Sequence, residues 1–396
     1  MGVERPQILT THRWDVVVVG GGPAGLITAR DLAADGCSVV LLEEHTEIGA
    51  PVHCTGVLGC EAFEELGLDR RSILHIADSA SFIAASGHIV RLSSERARAA
   101  VVDRQSFDAM LAADAVAAGA TVCAGVSVAE ICIQSDGVTL RTGDSIVRAR
   151  SCVLACGASY RFNKALGFGL PAVLGYSAQL EVPFPAADHI EVHLGAEVAS
   201  GGFAWMVPFR RGGATFARVG LVCDGSARNR FAALSHRIGE RHGVSADWPA
   251  PRVKVMPLAP VTRTWTDRVL AVGDAAGLVK PTTGGGIYYG LLSGRLAAEC
   301  LRGALRADRL QASRLRNYER AWRARLGAEI RAGLAFRAVA TRLPDRAIDA
   351  LLEIARVEGL IPLVRQTADF NWHGAAALTL LRNAAFRRVV FSSIWN

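Results

Sequence analysis

Apolar residues fall along this chain in three rhythms. In "WDVVVVGGGPAGLITARDLAADGCSVVLLEE" four valines precede a glycine turn, an apolar face at helical spacing follows, and a second apolar run closes the segment. Uninterrupted apolar runs mark strands buried on both faces, so the stretch reads strand, turn, helix, strand. Ala29 and Ala33 are small enough for the helix to press on the sheet, and Gly36 suits its C-terminus. The same rhythm returns in "TVCAGVSVAEI", "ARSCVLACGAS" and "DRVLAVGDAAGLVKP", with an amphipathic helix expected after Arg104 and ending near Gly119. The second rhythm is alternation. "SASFIAASGHIVRL" predicts a hairpin turning at Ser86-Gly87, and residues 171–258 ("YSAQLEVP", "HIEVHLG", "FAWMVPF", "FARVGLV") predict a mostly antiparallel sheet. After residue 300 the rhythm is helical. The fold class is therefore α/β (α+β overall), and no repeat or linker separates the domains, so they interleave.

Composition narrows this. The 396 residues exceed what one core usually fills, so two or three domains are expected, and 51% apolar content supports large cores. No run of 18 uncharged apolar residues predicts a transmembrane helix, and "MGVERPQILTTHRWD" lacks the apolar middle of a secretory signal. Nine scattered cysteines without a CxxC read as reduced thiols in a cytoplasm, with no disulfide framework and no metal site. The net charge is +7, yet only Lys164, Lys254 and Lys280 are lysines. From Arg302 to Arg342 eleven arginines face three acids. That run is open between a solvated face and contact with anionic lipid or ligand. No nucleic-acid motif accompanies the charge, which argues against such a partner.

The candidate chemistry starts at the first turn. Gly20, Gly22 and Gly25 stand in GxGxxG spacing between strand and helix, with Pro23 and Ala24 inside the motif, and Glu43 closes the next strand 18 residues after Gly25. This context makes the motif a dinucleotide site. Gly20 makes the tight turn, Gly22 admits a pyrophosphate to the backbone at a helix N-terminus, and Glu43 accepts from a ribose hydroxyl. A far C-terminal strand ending in Gly273-Asp274 is more than an NAD domain needs, and an extended FAD needs it. Val128 is a candidate for backbone contact to adenine.

The pieces "GGGPAGLITARDLA", "PVHCTGVLG", "VVDRQSFD", "GFAWMVP" and "GDAAGLVKPTTGGGIYYGLLSGRLAAE" together resemble the geranylgeranyl reductase family. That family lies within the flavoproteins sharing the p-hydroxybenzoate hydroxylase fold, and the resemblance spans residues 15 to 300. It implies a Rossmann-like FAD-binding domain of 1–75, 98–170 and 259–305, a substrate sheet of 76–97 and 171–258 roofing the flavin, and a helical region of 306–396. Arg104 and Gly157 join the expected cofactor contacts. Asp274 would hold ribityl or ribose hydroxyls. Gly284, Gly285 and Gly286 would present bare backbone to the isoalloxazine ring where a helix opens at Ile287.

Phe203, Trp205 and Pro208 match the family's aromatic segment, which lines a lipid cavity, although Phe203 and Val207 depart from its usual tyrosine and phenylalanine. Pro51 and Cys54 match its PxxC segment, and thiols as a class keep their proton at neutral pH, so Cys54 is the candidate catalytic acid. Related hydroxylases carry Asp-Gly where this chain has Cys156-Gly157, which puts NADPH docking in doubt and leaves NADPH or another donor as the reductant.

The resemblance implies saturation of isolated double bonds in a prenyl lipid or diphosphate by a cytoplasmic, peripherally membrane-bound enzyme. Alternatives are a flavin monooxygenase of an apolar substrate, a quinone-linked electron-transfer flavoprotein dehydrogenase and a prenyl-binding escort. No cysteine follows Cys300, so the dehydrogenase reading lacks a C-terminal iron–sulfur module. The closing stretch "GAAALTLLRNAAFRRVVFSSIW" reads as a helix suited to a bilayer surface or packed on the protein.

Overall fold

The uninterrupted apolar runs lie side by side as parallel strands. In this computed structural model, which describes residues 8–93, 98–357 and 369–395, their order is Thr121–Cys123, Val39–Leu42, Arg13–Val19, Ser145–Leu154 and Val269–Ala271. The first seven residues of the expected cofactor domain, residues 94–97 of the expected insertion, and 358–368 and Asn396 of the expected helical region lie outside the described residues. Val16, Val17, Val18, Val39, Val40, Val153 and Leu154 have no exposed surface, as strands covered on both faces should. Helices Pro23–Ala34 and Arg104–Ala117 pack on this sheet and on each other, and Ile287–Arg306 packs on Pro23–Ala34. Glu130–Ile133 and Val138–Thr142 extend it antiparallel beside Ser145–Leu154.

The alternating segments form a seven-stranded roof. Its order is Arg252–Pro257, Leu174–Pro183, Ala214–Cys223, Phe203–Arg211, Ile190–His193, Ser79–Ile83 and Ile89–Ser93, antiparallel except where Ile190–His193 meets Ser79–Ile83. The strand period of two sends Ala204, Met206, Val219 and Leu221 to one core, and Trp205, Val207, Phe209 and Val222 to another. Helix Ala227–His242 covers the first core with Phe231, Leu234 and Ile238. The stretch 171–258 is therefore not strand throughout, because those three residues repeat at helical spacing.

The second core meets a three-stranded sheet of Val57–Gly59, Ala99–Val102 and Ile73–Ala77. The sequence pattern does not announce this sheet, and its last strand runs across the expected boundary at residue 75. Beyond Arg306, helix Ala312–Ala340 buries Tyr318 and Trp322, which donate to Ala271 O at 2.9 Å and Thr264 Oγ1 at 3.0 Å. Its arginines Arg314, Arg316, Arg320, Arg323, Arg325 and Arg331 are exposed. The expected single C-terminal helix is two, Gly374–Arg382 and Ala384–Trp395, broken at Asn383, whose side chain accepts from Phe386 N at 2.9 Å.

One buried cation joins roof, small sheet and the segment before it. Arg218, 1% exposed, donates from Nη1 to Thr55 O (2.7 Å) and Val102 O (2.9 Å) and from Nε to Glu181 (3.2 Å), and lies over the Phe209 ring. Arg218→Ala is expected to destabilise the protein by about 3–5 kcal/mol, because it leaves buried acceptors without a donor. Arg218→Lys should recover little, since an ammonium lacks the planar fork. Urea unfolding midpoints check both.

Candidate active site

The first glycine turn separates three demands. Gly20 has φ +112, and a Cβ there would overlap Ala155 O. A Cβ on Gly25 would overlap Gly20 O, so this glycine lets the helix sit on the turn. Gly22 is different. Its φ of −80 suits any residue, and a Cβ there would meet nothing within 4 Å. Nothing among the described residues requires glycine at 22, and the space beside it is open. Gly22 supplies no side-chain cap, and Pro23 takes the first turn, where a missing N–H is harmless. The backbone N–H groups there are left to an anion.

Glu43 lies against the same turn. Its Oε2 accepts from Gly21 N at 2.6 Å, and its Oε1 accepts from His45 N at 3.0 Å. Glu43 O accepts from Val126 N at 2.8 Å, which brings the loop holding buried Val128 alongside. Ala155 N donates to Val19 O and Val272 N to Leu154 O, so Gly157, at φ +62, and Gly273-Asp274 stand at the ends of adjoining strands. Among the described residues the Asp274 carboxylate has no hydrogen-bond partner. Burial raises its pKa, with Lys254 and Arg104 opposing.

The second glycine stretch opens a helix at Ile287 with Gly286 before it. Its three glycines have protein neighbours. A Cβ on Gly284 would overlap Met256 Sδ, one on Gly285 would lie 2.7 Å from Lys280 Cε, and one on Gly286 would lie 2.6 Å from Asp274 Oδ1. These are ends of flexible side chains that could shift, so among the three it is Gly284, at φ +70, whose backbone favours glycine whatever the space. Behind the loop, Lys280 is 4% exposed and donates to Phe370 O at 2.9 Å. Burial lowers its pKa to about 8, with Glu61 and Asp369 opposing.

Arg104 is the first residue of its helix rather than the residue before it, with Asp103 as the cap. It pairs with Asp108 through two bonds of 3.0 and 2.7 Å. Burial disfavours its charge, but Asp108 and Cys54 beside it raise its pKa above the ordinary value. Cys54 itself accepts from Gly56 N at 3.3 Å. The segment carrying it is tied to the roof. Thr55 Oγ1 donates to Gln179 Oε1 at 2.5 Å, and Arg252 Nη1 to Val52 O at 2.8 Å. His53 is held neutral down to about pH 4 by burial and the nearby cations.

Phe203 and Trp205 share one face of the roof, ring centroids 5.6 Å apart. The Trp205 indole lies across Gly220, where a Cβ would be 2.5 Å from the ring. Its Nε1 is buried with no acceptor among the described residues. Pro208 is out of step with them. It pairs with Ala217, whose side chain belongs to the opposite core, so the structure does not bring it to that face.

Sequence reading missed Arg218, Gln179, Met256 and Lys254. Lys254 and Lys280 are two of only three lysines in a chain that otherwise uses arginine. That bias was the available signal.

The family described as lycopene cyclase protein matches residues 15–343. Digeranylgeranylglycerophospholipid reductase 2 of Methanothermobacter thermautotrophicus is 31% identical over 355 residues, 86% of this chain and 91% of that protein. A geranylgeranyl bacteriochlorophyll reductase-like structure from Thermoplasma acidophilum is similar with a TM-score of 0.83 at 24% identity, covering 96% of this chain and 98% of that one. A variant of halogenase PltM solved with FAD is similar with a TM-score of 0.66 at 16% identity, covering 96% and 86%. The two structures bear on the fold alone.

The glycines of the first turn give opposed predictions. Gly22→Val should leave thermal unfolding of the cofactor-free protein unchanged and abolish retention of a yellow cofactor on gel filtration. Gly25→Val should lower the unfolding temperature itself, because the clash is with backbone.

Proposed function

The chain belongs to the geranylgeranyl reductase family of flavoproteins, and on that premise we propose that it is an FAD-dependent reductase of isolated double bonds in the prenyl chains of a lipid or diphosphate. The one observation that carries the catalytic part is the setting of Cys54. Its thiol is beside Arg104, and its segment is tied through Thr55 and Val52 to the roof that carries Phe203 and Trp205. The bound cofactor would supply hydride.

Gly22 and the start of helix Pro23–Ala34 would hold its pyrophosphate, Glu43 a ribose hydroxyl, the Val128 backbone the adenine, and Asp274 a further hydroxyl. Phe203 and Trp205 exclude water and orient an apolar chain. An isolated alkene has no group to accept the charge of added hydride, so a proton must reach the neighbouring carbon, and Cys54 is the donor assigned here. Reducing equivalents come from NADPH or another donor. Anaerobic bleaching with each candidate identifies which.

Cys54→Ala is expected to retain FAD and to be bleached by the reductant. Its reoxidation by a prenyl substrate in an anaerobic single turnover should slow by about 10²- to 10⁴-fold. A wild-type rate would move the proton source elsewhere. The family description also favours a redox-neutral reading, in which protonation leads to cyclisation. Mass spectrometry of the product separates the two, since reduction adds a hydrogen pair per bond and cyclisation leaves the mass unchanged.

No helix among the described residues is long and apolar enough to cross a membrane. The two C-terminal helices expose Leu378 (51%) and Phe391 (60%) together with Arg382, Arg387 and Arg388. A cytoplasmic protein touching an anionic bilayer through this surface fits a lipid substrate. Flotation with anionic vesicles should therefore weaken when residues 375–396 are removed, and equal flotation would clear this segment of the role.

A further inference from the structure

Roof strand Arg252–Pro257 runs along the gap between the Cys54 segment and the second glycine loop. Arg252, Lys254 and Met256 alternate onto one of its faces, opposite Gln179, Ser177 and Gly175 of the next strand. The two outer residues fix where that face points. Arg252 reaches Val52 O at 2.8 Å, and Met256 Sδ fills the space beside Gly284. Lys254, between them, lies on the same face and is solvent-exposed. Its ammonium is within electrostatic reach of Asp274, Cys54, Arg104 and Glu43.

Every other cation here is committed. Arg104 is bidentate to Asp108, Arg218 is shared among Thr55, Val102 and Glu181, Arg252 is on Val52, and Lys280 is on Phe370. Lys254 Nζ has no hydrogen bond and no ion pair among the described residues. Hydride transfer from a nicotinamide-type donor adds two electrons and one proton, and so leaves one net negative charge on a flavin ring. The helix start at Ile287 offers partial positive charge to such an anion, but Asp274 beside it works against it.

We propose that Lys254 is the counter-charge of the reduced cofactor: its ammonium would stabilise the negative charge that reduction places on a bound flavin and thereby set the midpoint potential. This rests on the reading of the site as a flavin site. The same cation could instead serve the pyrophosphate, and the two roles separate by experiment.

The holoproteins of wild type, Lys254→Met and Lys254→Arg are titrated anaerobically against reference dyes. Affinity for oxidised FAD and thermal unfolding are measured alongside. Lys254→Met should have a more negative midpoint, by about tenfold in the redox equilibrium or about 30 mV for two electrons. Lys254→Arg should return close to wild type, and affinity for oxidised FAD should be unchanged. An unaltered potential in Lys254→Met overturns the inference. So does lost affinity for oxidised FAD at unchanged potential, which assigns Lys254 to the pyrophosphate. If the wild-type protein holds no FAD, the reading of the site has failed, not the assignment of Lys254 within it.

Discussion

Two helices start at one spot because small residues face one another across their first turns. A Cβ on Gly294 would lie 2.6 Å from Ala24 O and 2.7 Å from Ile27 Cγ2, and one on Gly273 would lie 2.9 Å from Ala24 Cβ. Gly290 faces Ala24 as well, at 3.5 Å. Glycine inside a helix costs about 1 kcal/mol against alanine, so Gly290 and Gly294 oppose helix formation locally. The close approach they allow buries Leu26, Ile27, Leu291 and Leu301 completely and offsets that cost. It also aims two helix N-termini at one volume. That convergence places Gly22, Asp274 and Gly286 around a shared space, and the roof closes over what the two helices define.

The roof brings a different kind of control. Segment 51–56 has little regular structure of its own, and its position comes from side chains of the roof: Gln179, Arg252 and Arg218. Cys54 is thus flanked by residues, Val52 and Thr55, that are bonded to the sheet carrying Phe203 and Trp205. Gly220 leaves room for the Trp205 indole, since a Cβ there would lie 2.5 Å from the ring.

The parts legible in the sequence are those whose causes are local. Gly20, Gly25 and Gly36 serve turns and contacts a few residues away, and the start of the helix at Ile287 follows from the glycines just before it. Long-range causes were not legible. "RVKVM" reads as a strand, but nothing in it says that Met256 will rest on Gly284 or that Lys254 will face Asp274. Arg218 looks like any arginine in an alternating strand until Thr55 and Val102 present their carbonyls to it. The three-stranded sheet escaped because its strands are short and flanked by helix, with partners far apart in the chain. Pro208 was grouped with Trp205 by motif, although strand alternation alone sends positions of unlike parity to opposite faces.

The parallel sheet has an implication for how the chain is made. Leu154, next to the first strand in space, pairs with Ala271, and five of the seven roof strands lie between them in sequence. Until Val269–Ala271 has left the ribosome, the apolar end of strand Ser145–Leu154, Cys152 to Leu154, keeps an open edge, and the helix that packs on the first glycine turn does not yet exist. Such non-local closure raises contact order and slows folding. The roof, whose strands pair mostly with near neighbours, is the unit able to form while that edge waits, and the exposed apolar edge is where a chaperone would be needed.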